Sequence, residues 1–254
     1  PKPLRWLPRY AGYLKLEQAV TAADGPLILF LNDDQRDQYL RHYPLAANRY
    51  AVLPPGIERD RQRPADHEAL RQQTRESLGV DEQETLLLFL GSGFKVKGLD
   101  RALKAFATLP ETAKLMIVGN DQADAYLSGL AESLRCRILV LGPRDDVTAL
   151  MQAADMLLHP AYRESAGMVL LEATVAGLPV LTTDTCGYAR YVREAGSGEI
   201  ILSPFSQQAL DDTLQKMVRQ LPGPWQENGV EYGRNPALYC LAQTVMDQVE
   251  NWTP

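Results

Sequence analysis

Eight short apolar runs punctuate the chain: LILFLN (27–32), YAVLP (50–54), TLLLFLG (85–91), KLMIVGN (114–120), RILVLG (137–142), MLLHP (156–160), PVLTTD (179–184) and EIILS (199–203). They are near-continuous rather than alternating, the pattern of strands covered on both faces. Between most of them lie segments with apolar residues at helical spacing, among them 100–109, 125–134 and 147–154. Strand and helix patterns that alternate with short connections predict an α/β fold, a parallel sheet with helices on both faces.

Six of the runs fall within 55–224 and predict one complete domain. Only two precede it, in 1–54, and a pair of strands does not make a stable layer alone. That segment is expected to be the remnant of a preceding domain, joined by LPPGI (53–57). The polar helical stretch 225–254 is expected to pack back toward that N-terminal domain. The chain begins at Pro1, without an initiator Met and within a basic aromatic segment, so a longer protein is expected.

Composition narrows the function. The 254 residues are 45% hydrophobic, ample for a packed core, and carry a formal charge of −6, which argues against nucleic acid as partner. Cys136, Cys186 and Cys240 form no CxxC pair and are expected to be reduced thiols of a cytoplasmic protein. No run reaches the roughly 18 apolar residues of a membrane span. The opening PKPLRWLPRY does not have the pattern of a signal peptide. Across 4–20, however, Arg5, Arg9 and Lys15 mix with Trp6, Tyr10, Tyr13 and Leu16, and Lys2 precedes them. Such a helix either lies on an anionic membrane surface, placing the protein at the periphery of the inner membrane, or packs on its own domain.

In doubly wound folds ligands bind at the carboxyl ends of strands, near helix N-termini. Four segments fall there. GSGFKVKGLD (91–100) offers glycines with Lys95 and Lys97, either a phosphate cradle or a solvated lysine pair on a tight turn. It is not a P-loop, since Leu99-Asp100 stands where Lys-Ser/Thr is required, and the third glycine of a dinucleotide fingerprint is misplaced. LGPRDDV (141–147) carries Arg144, either a diphosphate clamp or half of a surface pair with Asp145 or Asp146. RESAGMVLLEATVAG (163–177) holds Glu164 in a loop and Glu172 among leucines. A helix starting near Ala166 would aim the N–H groups of Ala166, Gly167 and Met168 at the crevice. It would place Glu172 about 9 Å, two turns, along the axis. A carboxylate buried there needs compensation. It is either an internal salt bridge to Arg144 or Lys97, or an acceptor for the vicinal hydroxyls of a ribose. In TDTCGYARYV (183–192), Gly187 either opens another helix toward the ligand or makes a plain β–α turn.

RESAGMVLLEATVAGLPVLTTDTCGYARYV resembles the E-x7-E region of the retaining GT-B glycosyltransferases of family 4, with Glu164 and Glu172 on its two glutamates. The linker, the glycine–lysine loop and LGPRDDV follow in family order, and the likeness runs from about Leu4 to 250. Within the family, LLHPAYRESAGMVLLEA and PFSQQAL are similar to the glucosyltransferases of the lipopolysaccharide core.

The resemblance implies a GT-B architecture of two Rossmann-like domains with the active site between them, the C-terminal one binding a UDP-sugar and the N-terminal one the acceptor. UDP-glucose is the expected UDP-hexose donor, and the inner-core heptose of a lipid-linked oligosaccharide the expected acceptor. No metal or cofactor is expected. Lys95, Lys97, Arg144, Ser165, Ala166, Gly167 and Met168 would hold the diphosphate, Glu172 the ribose, and Glu164 the sugar near its anomeric carbon as the catalytic carboxylate. One departure stands out: relatives carry a basic pair before the loop glycine, and here Val96 occupies its first place, with Lys95 one position earlier. Without the opening of the N-terminal domain, the chain is expected to bind donor and to be inactive alone. The alternatives are a GT-B sugar-nucleotide epimerase, a phosphorylase, which would need a pyridoxal lysine, a non-catalytic UDP-sugar-binding module, and a Rossmann oxidoreductase.

Overall fold

The structure is a computed structural model that describes residues 8–252, and the side chains from Tyr10 onward. Lys2, Arg5, Trp6 and the side chain of Arg9, part of the expected membrane segment, lie outside the described residues. All eight expected strands form, each shorter than its apolar run: β1 Ile28–Phe30, β2 Tyr50–Val52, β3 Thr85–Leu90, β4 Ala113–Val118, β5 Ile138–Gly142, β6 Met156–His159, β7 Val180–Thr183 and β8 Gly198–Ile201. All of the runs but that of β5 end past their strands, in residues that turn into the following loops.

The chain divides into two compact units. The larger runs from Ile57 to Leu238, and the smaller takes the residues up to Gly56 together with those from Tyr239. In the smaller unit β1 and β2 pair in parallel, Ile28 opposite Tyr50. Phe30 is buried there between the rings of Tyr39 and Tyr50, at 5.4 and 6.1 Å. Arg49 is buried too, and donates to the carbonyls of Ala22 (2.7 Å), Ala23 (2.5 Å) and Pro26 (3.0 Å), which satisfies its charge within the turn it closes. The helix Leu241–Glu250 of the expected tail belongs to this unit.

The larger unit is built on a six-stranded sheet in the order β5-β4-β3-β6-β7-β8, every pair parallel. Alternation within the apolar runs fills both faces. Leu87, Phe89, Leu115 and Leu158 pack on one side with Leu103, Phe106, Leu210 and Leu214 of the helices Leu99–Phe106 and Gln207–Gln220. Leu86, Leu88, Met116 and Leu157 pack on the other with Leu150, Leu170, Ala173 and Val192. Fully burying one such side chain is worth about 1.5–3 kcal/mol, so these two layers hold the unit together. The helix Trp225–Tyr232, expected with the tail, packs in this unit. Trp225 enters the core, Glu227 pairs with Arg63 at 3.1 Å, and the hydroxyl of Tyr232 bonds Glu194 at 2.9 Å.

Candidate functional site

The strand order reverses direction between β3 and β6. The chain leaves β3 for β4 on one side and leaves β6 for β7 on the other, so the loops after β3 and β6 splay apart and leave a crevice at the carboxyl edge. Those loops are the 91–98 and 160–167 segments singled out in the sequence.

They are locked together by backbone. The Tyr162 N–H donates to the Val96 carbonyl at 2.8 Å, and Arg101 donates to the carbonyls of Pro160 and Ala161 at 3.3 and 3.2 Å. The Arg101 guanidinium is in turn sandwiched between the rings of Tyr162 and Phe205, 3.5 and 3.6 Å from their centroids. A third loop clasps the second: the Glu164 N–H donates to Thr185, and its carbonyl accepts from Gly187 at 3.0 Å, while the Tyr188 N–H donates to Ala166 at 2.7 Å. Gly187 thus makes a β–α turn whose N–H is already spent on Glu164, and the following helix begins at Ala189.

At this junction Lys97 forms an ion pair with Glu164, both side chains largely buried. Burial pushes the Lys97 ammonium below its usual pKa. Directly beneath, at the end of β6, the His159 imidazole is fully buried, with Nε2 3.9 Å from Glu164 Oε2. Neither of its ring nitrogens has a hydrogen-bond partner among the described residues. Burial, with Lys97 nearby, lowers its pKa to about 3, so it is neutral. His159 is absent from the residues expected at the site. Its only signal in the sequence is a titratable residue closing an otherwise apolar strand.

Other expected residues sit differently. Phe94–Lys97 forms a one-turn helix of its own, whose first N–H, that of Phe94, is taken by the Asp121 carboxylate at 2.7 Å. Lys95 and Val96 are exposed, and Lys95 makes no ion pair among the described residues. Arg144 and Asp146 form an exposed bidentate pair, 2.8 and 2.5 Å, at the end of the edge strand β5, two strand spacings or about 10 Å from β3. The helix after β6 starts at Met168 rather than Ala166. Gly167 caps it with φ 88°, a left-handed conformation that glycine alone adopts readily. The N–H groups of Met168 and Val169 have no intrahelical acceptor, while that of Leu170 donates to the Gly167 carbonyl at 2.9 Å. Glu172 is therefore about one turn, roughly 6 Å, into the helix.

Neither Lys97 nor Arg144 is the partner of Glu172. Its oxygen lies 3.8 Å from the guanidinium of Arg61, which also reaches Thr148 Oγ1 at 3.4 Å. Arg61 comes from the linker side of the unit and carries no mark in the sequence. Burial outweighs Arg61 and raises the Glu172 pKa, with Asp60 and Glu58 adding to the rise. A half-buried carboxylate with one distant cation has unfilled acceptor capacity, which a diol would fill. Among the described residues no group of three or more His, Cys, Asp or Glu side chains could hold a metal ion.

A six-stranded doubly wound sheet with E-x7-E placed from loop to helix at its switch point defines a GT-B type glycosyltransferase domain. Residues 71–235 match the family described as glycosyl transferases group 1, and the chain belongs to it. It is 41% identical over 248 residues to the lipopolysaccharide glucosyltransferase WaaG of Escherichia coli strain K12, covering 94% of this chain and 66% of that relative. The crystal structure of WaaG superposes with a TM-score of 0.87 at 39% identity, covering 97% of this chain and 69% of that one. Anabaena Alr3699/HepE in complex with UDP and glucose shares the fold, with a TM-score of 0.76 at 18% identity over 96% of this chain and 69% of that one.

Proposed function

We propose that the protein transfers a hexose from a UDP-sugar, UDP-glucose first among them, to the inner-core heptose of lipopolysaccharide with retention of configuration. The observation that carries this is the meeting of Lys97 and Glu164 at the switch point, with Glu172 one helical turn beyond. The 41% identity to a lipopolysaccharide glucosyltransferase supports both donor and acceptor class.

On this reading Ile57–Leu238 is the donor-binding unit. Cleavage of the glycosidic bond leaves negative charge on UDP. Lys97 and the N–H groups of Gly167 and Met168, at the positive end of the helix Met168–Val175, receive it without a metal or cofactor. Ser165 and Ala166 line the approach. Glu172 accepts the ribose hydroxyls. Glu164 faces the sugar and stabilises the positive charge that grows at the anomeric carbon. Lys95 and Arg144 take part only by turning from where they lie, and Arg144 must leave Asp146 to do so. The test is transfer of labelled glucose from UDP-glucose to heptose-terminated core oligosaccharide, together with calorimetry of the 254-residue chain with UDP-glucose. Absence of binding at millimolar donor would end the proposal.

A peripheral place on an anionic membrane, at the cytoplasmic face, is the companion proposal. In the helix Pro8–Val20, Tyr10, Tyr13 and Leu16 are exposed beside Lys15. No helix among the described residues is long and apolar enough to cross a membrane. Sedimentation with vesicles that shows no dependence on anionic lipid would reject surface attachment.

A further inference from the structure

A fully buried imidazole with two unpartnered nitrogens is an anomaly, because buried polar groups almost always find a partner. His159 is held rigidly where it stands. Its carbonyl accepts from Thr182 Oγ1 at 2.9 Å, and β6 is paired on both sides. Among the described residues the one acidic group within 4 Å of the ring is the Glu164 carboxylate, at 3.9 Å, and that distance is about 1 Å too long for a hydrogen bond. Glu164 is drawn instead to Lys97. Lys97 is the cation nearest the position proposed for the diphosphate, and it cannot serve both anions equally well.

We infer that His159 is the alternate partner of Glu164: when the diphosphate draws Lys97 away, the Nε2–H of His159 closes on Oε2 and holds the carboxylate in place against the donor sugar. The exchange moves no proton and breaks no covalent bond. It rests on the proposed donor site, since the diphosphate is what displaces Lys97. It makes His159 a positioning residue that acts through Glu164 and touches no substrate itself. The titratable groups that face it are Lys97 and Glu164, with the Cys186 thiol beyond Thr182, its neighbour on β7. A neutral imidazole suits the task because it carries a proton on one nitrogen at neutral pH and adds no charge that would compete for the diphosphate.

The exchange is visible by NMR on the full chain with 15N-labelled histidine, which has only His42, His67 and His159 to resolve. His159→Gln assigns the third signal. In Lys97→Met, without any ligand, the Nε2–H of His159 should become protected from water exchange and take the shift of a hydrogen-bonded N–H. In the parent chain the same signature should appear on saturation with UDP. An unprotected Nε2 in Lys97→Met overturns the inference, whatever UDP does. UDP binding by calorimetry without a change at His159 overturns it as well. If UDP does not bind at all, the donor reading fails, and the Lys97→Met spectrum still decides on the exchange. Affinity supplies a second readout. His159→Leu should weaken UDP-glucose about tenfold more than UDP, while His159→Gln, which keeps a donor, should restore most of the difference. Equal losses for both nucleotides in His159→Leu, or no recovery in His159→Gln, would mean that the ring serves packing alone.

Discussion

Lys97 and Glu164 lie 67 positions apart in sequence, yet their side chains form one ion pair at the point where the sheet reverses direction. The ammonium proposed for the diphosphate and the carboxylate proposed for the sugar are here paired with each other. Any anion that recruits Lys97 must first compete with Glu164. Lys97→Ala should therefore weaken UDP about ten- to a hundredfold, the worth of one charge-assisted contact. Glu164→Gln should strengthen UDP about three- to tenfold, because the competitor is gone. Calorimetry on the two variants and their combination checks this. Unchanged UDP affinity in both would remove Lys97 from the diphosphate site.

Much of this arrangement is legible in the chain, and the missing part has physical reasons. Near-continuous apolar runs mark all eight strands, although only the central strands β6 and β7 are buried throughout, while β2 is half-buried and Val140 on the edge strand β5 is exposed. Glycine–lysine and E-x7-E mark the two loops, because backbone approach and anion chemistry need those residue types. Helix starts are less visible: Gly167 takes a left-handed turn and delays the helix to Met168, which leaves Glu172 about half a turn nearer the helix start than expected. Pairings across long stretches of chain are not visible at all. Arg61 finds Glu172 across 111 positions, where nothing local signals it. Arg144 has the pattern of a clamp but closes on Asp146 two residues away, because a local pair costs little ordering entropy. His159 reads in sequence as the end of a strand, and only burial turns it into a question.

With the ribose role proposed for it, Glu172 would set stability against binding. Burial raises its pKa, so between the ordinary carboxyl value and the raised one the folded state holds more protons than the unfolded chain. The stability tied to this group is accordingly lost as pH rises through that window. Glu172→Gln removes the charge and should raise the Tm of the free protein by about 1–3 °C at pH 7. The same substitution should cost about tenfold in UDP affinity. It should cost little for 2′,3′-dideoxy-UDP, which offers no diol. Scanning calorimetry and titration with both nucleotides test the two halves, and equal losses for UDP and its dideoxy analogue would place Glu172 away from the ribose.

His159 gives the acid limb of stability. Its pKa in the fold, about 3, lies below the ordinary 6.5, so the unfolded chain takes up a proton that the folded one refuses. Its contribution is complete above pH 6.5 and is lost as pH falls toward 3, at up to about 1.4 kcal/mol per unit. His159→Leu lacks that proton and should lose about 1–2 kcal/mol less than the parent between pH 7 and pH 5. Urea midpoints at the two pH values measure the difference. Parallel losses in parent and variant would show that the ring is hydrated rather than sealed.

Gly98 tests whether the close approach of the two loops matters to the site. It is buried between Lys97 and Leu99 with φ 79°, and a Cβ there would run into the carbonyl oxygen of Pro160. Gly93, at the other end of the same turn, has φ 78°, but a Cβ there would meet nothing within 4 Å. Both positions charge an alanine about 1 kcal/mol for the left-handed backbone. Only Gly98→Ala adds a collision with main chain, which cannot swing aside as a side-chain tip can, for a total of about 2–4 kcal/mol. Relief comes by parting 91–98 from 160–167, which also moves Lys97 away from the N–H groups of Gly167 and Met168 proposed to share the diphosphate with it. Gly93→Ala should thus lose a little stability and keep its UDP affinity. Gly98→Ala should lose more stability, and several-fold in UDP affinity, at temperatures where it is still folded. If the two variants behave alike in both urea denaturation and calorimetry, the seam between the loops serves the fold alone, and the donor site does not depend on it.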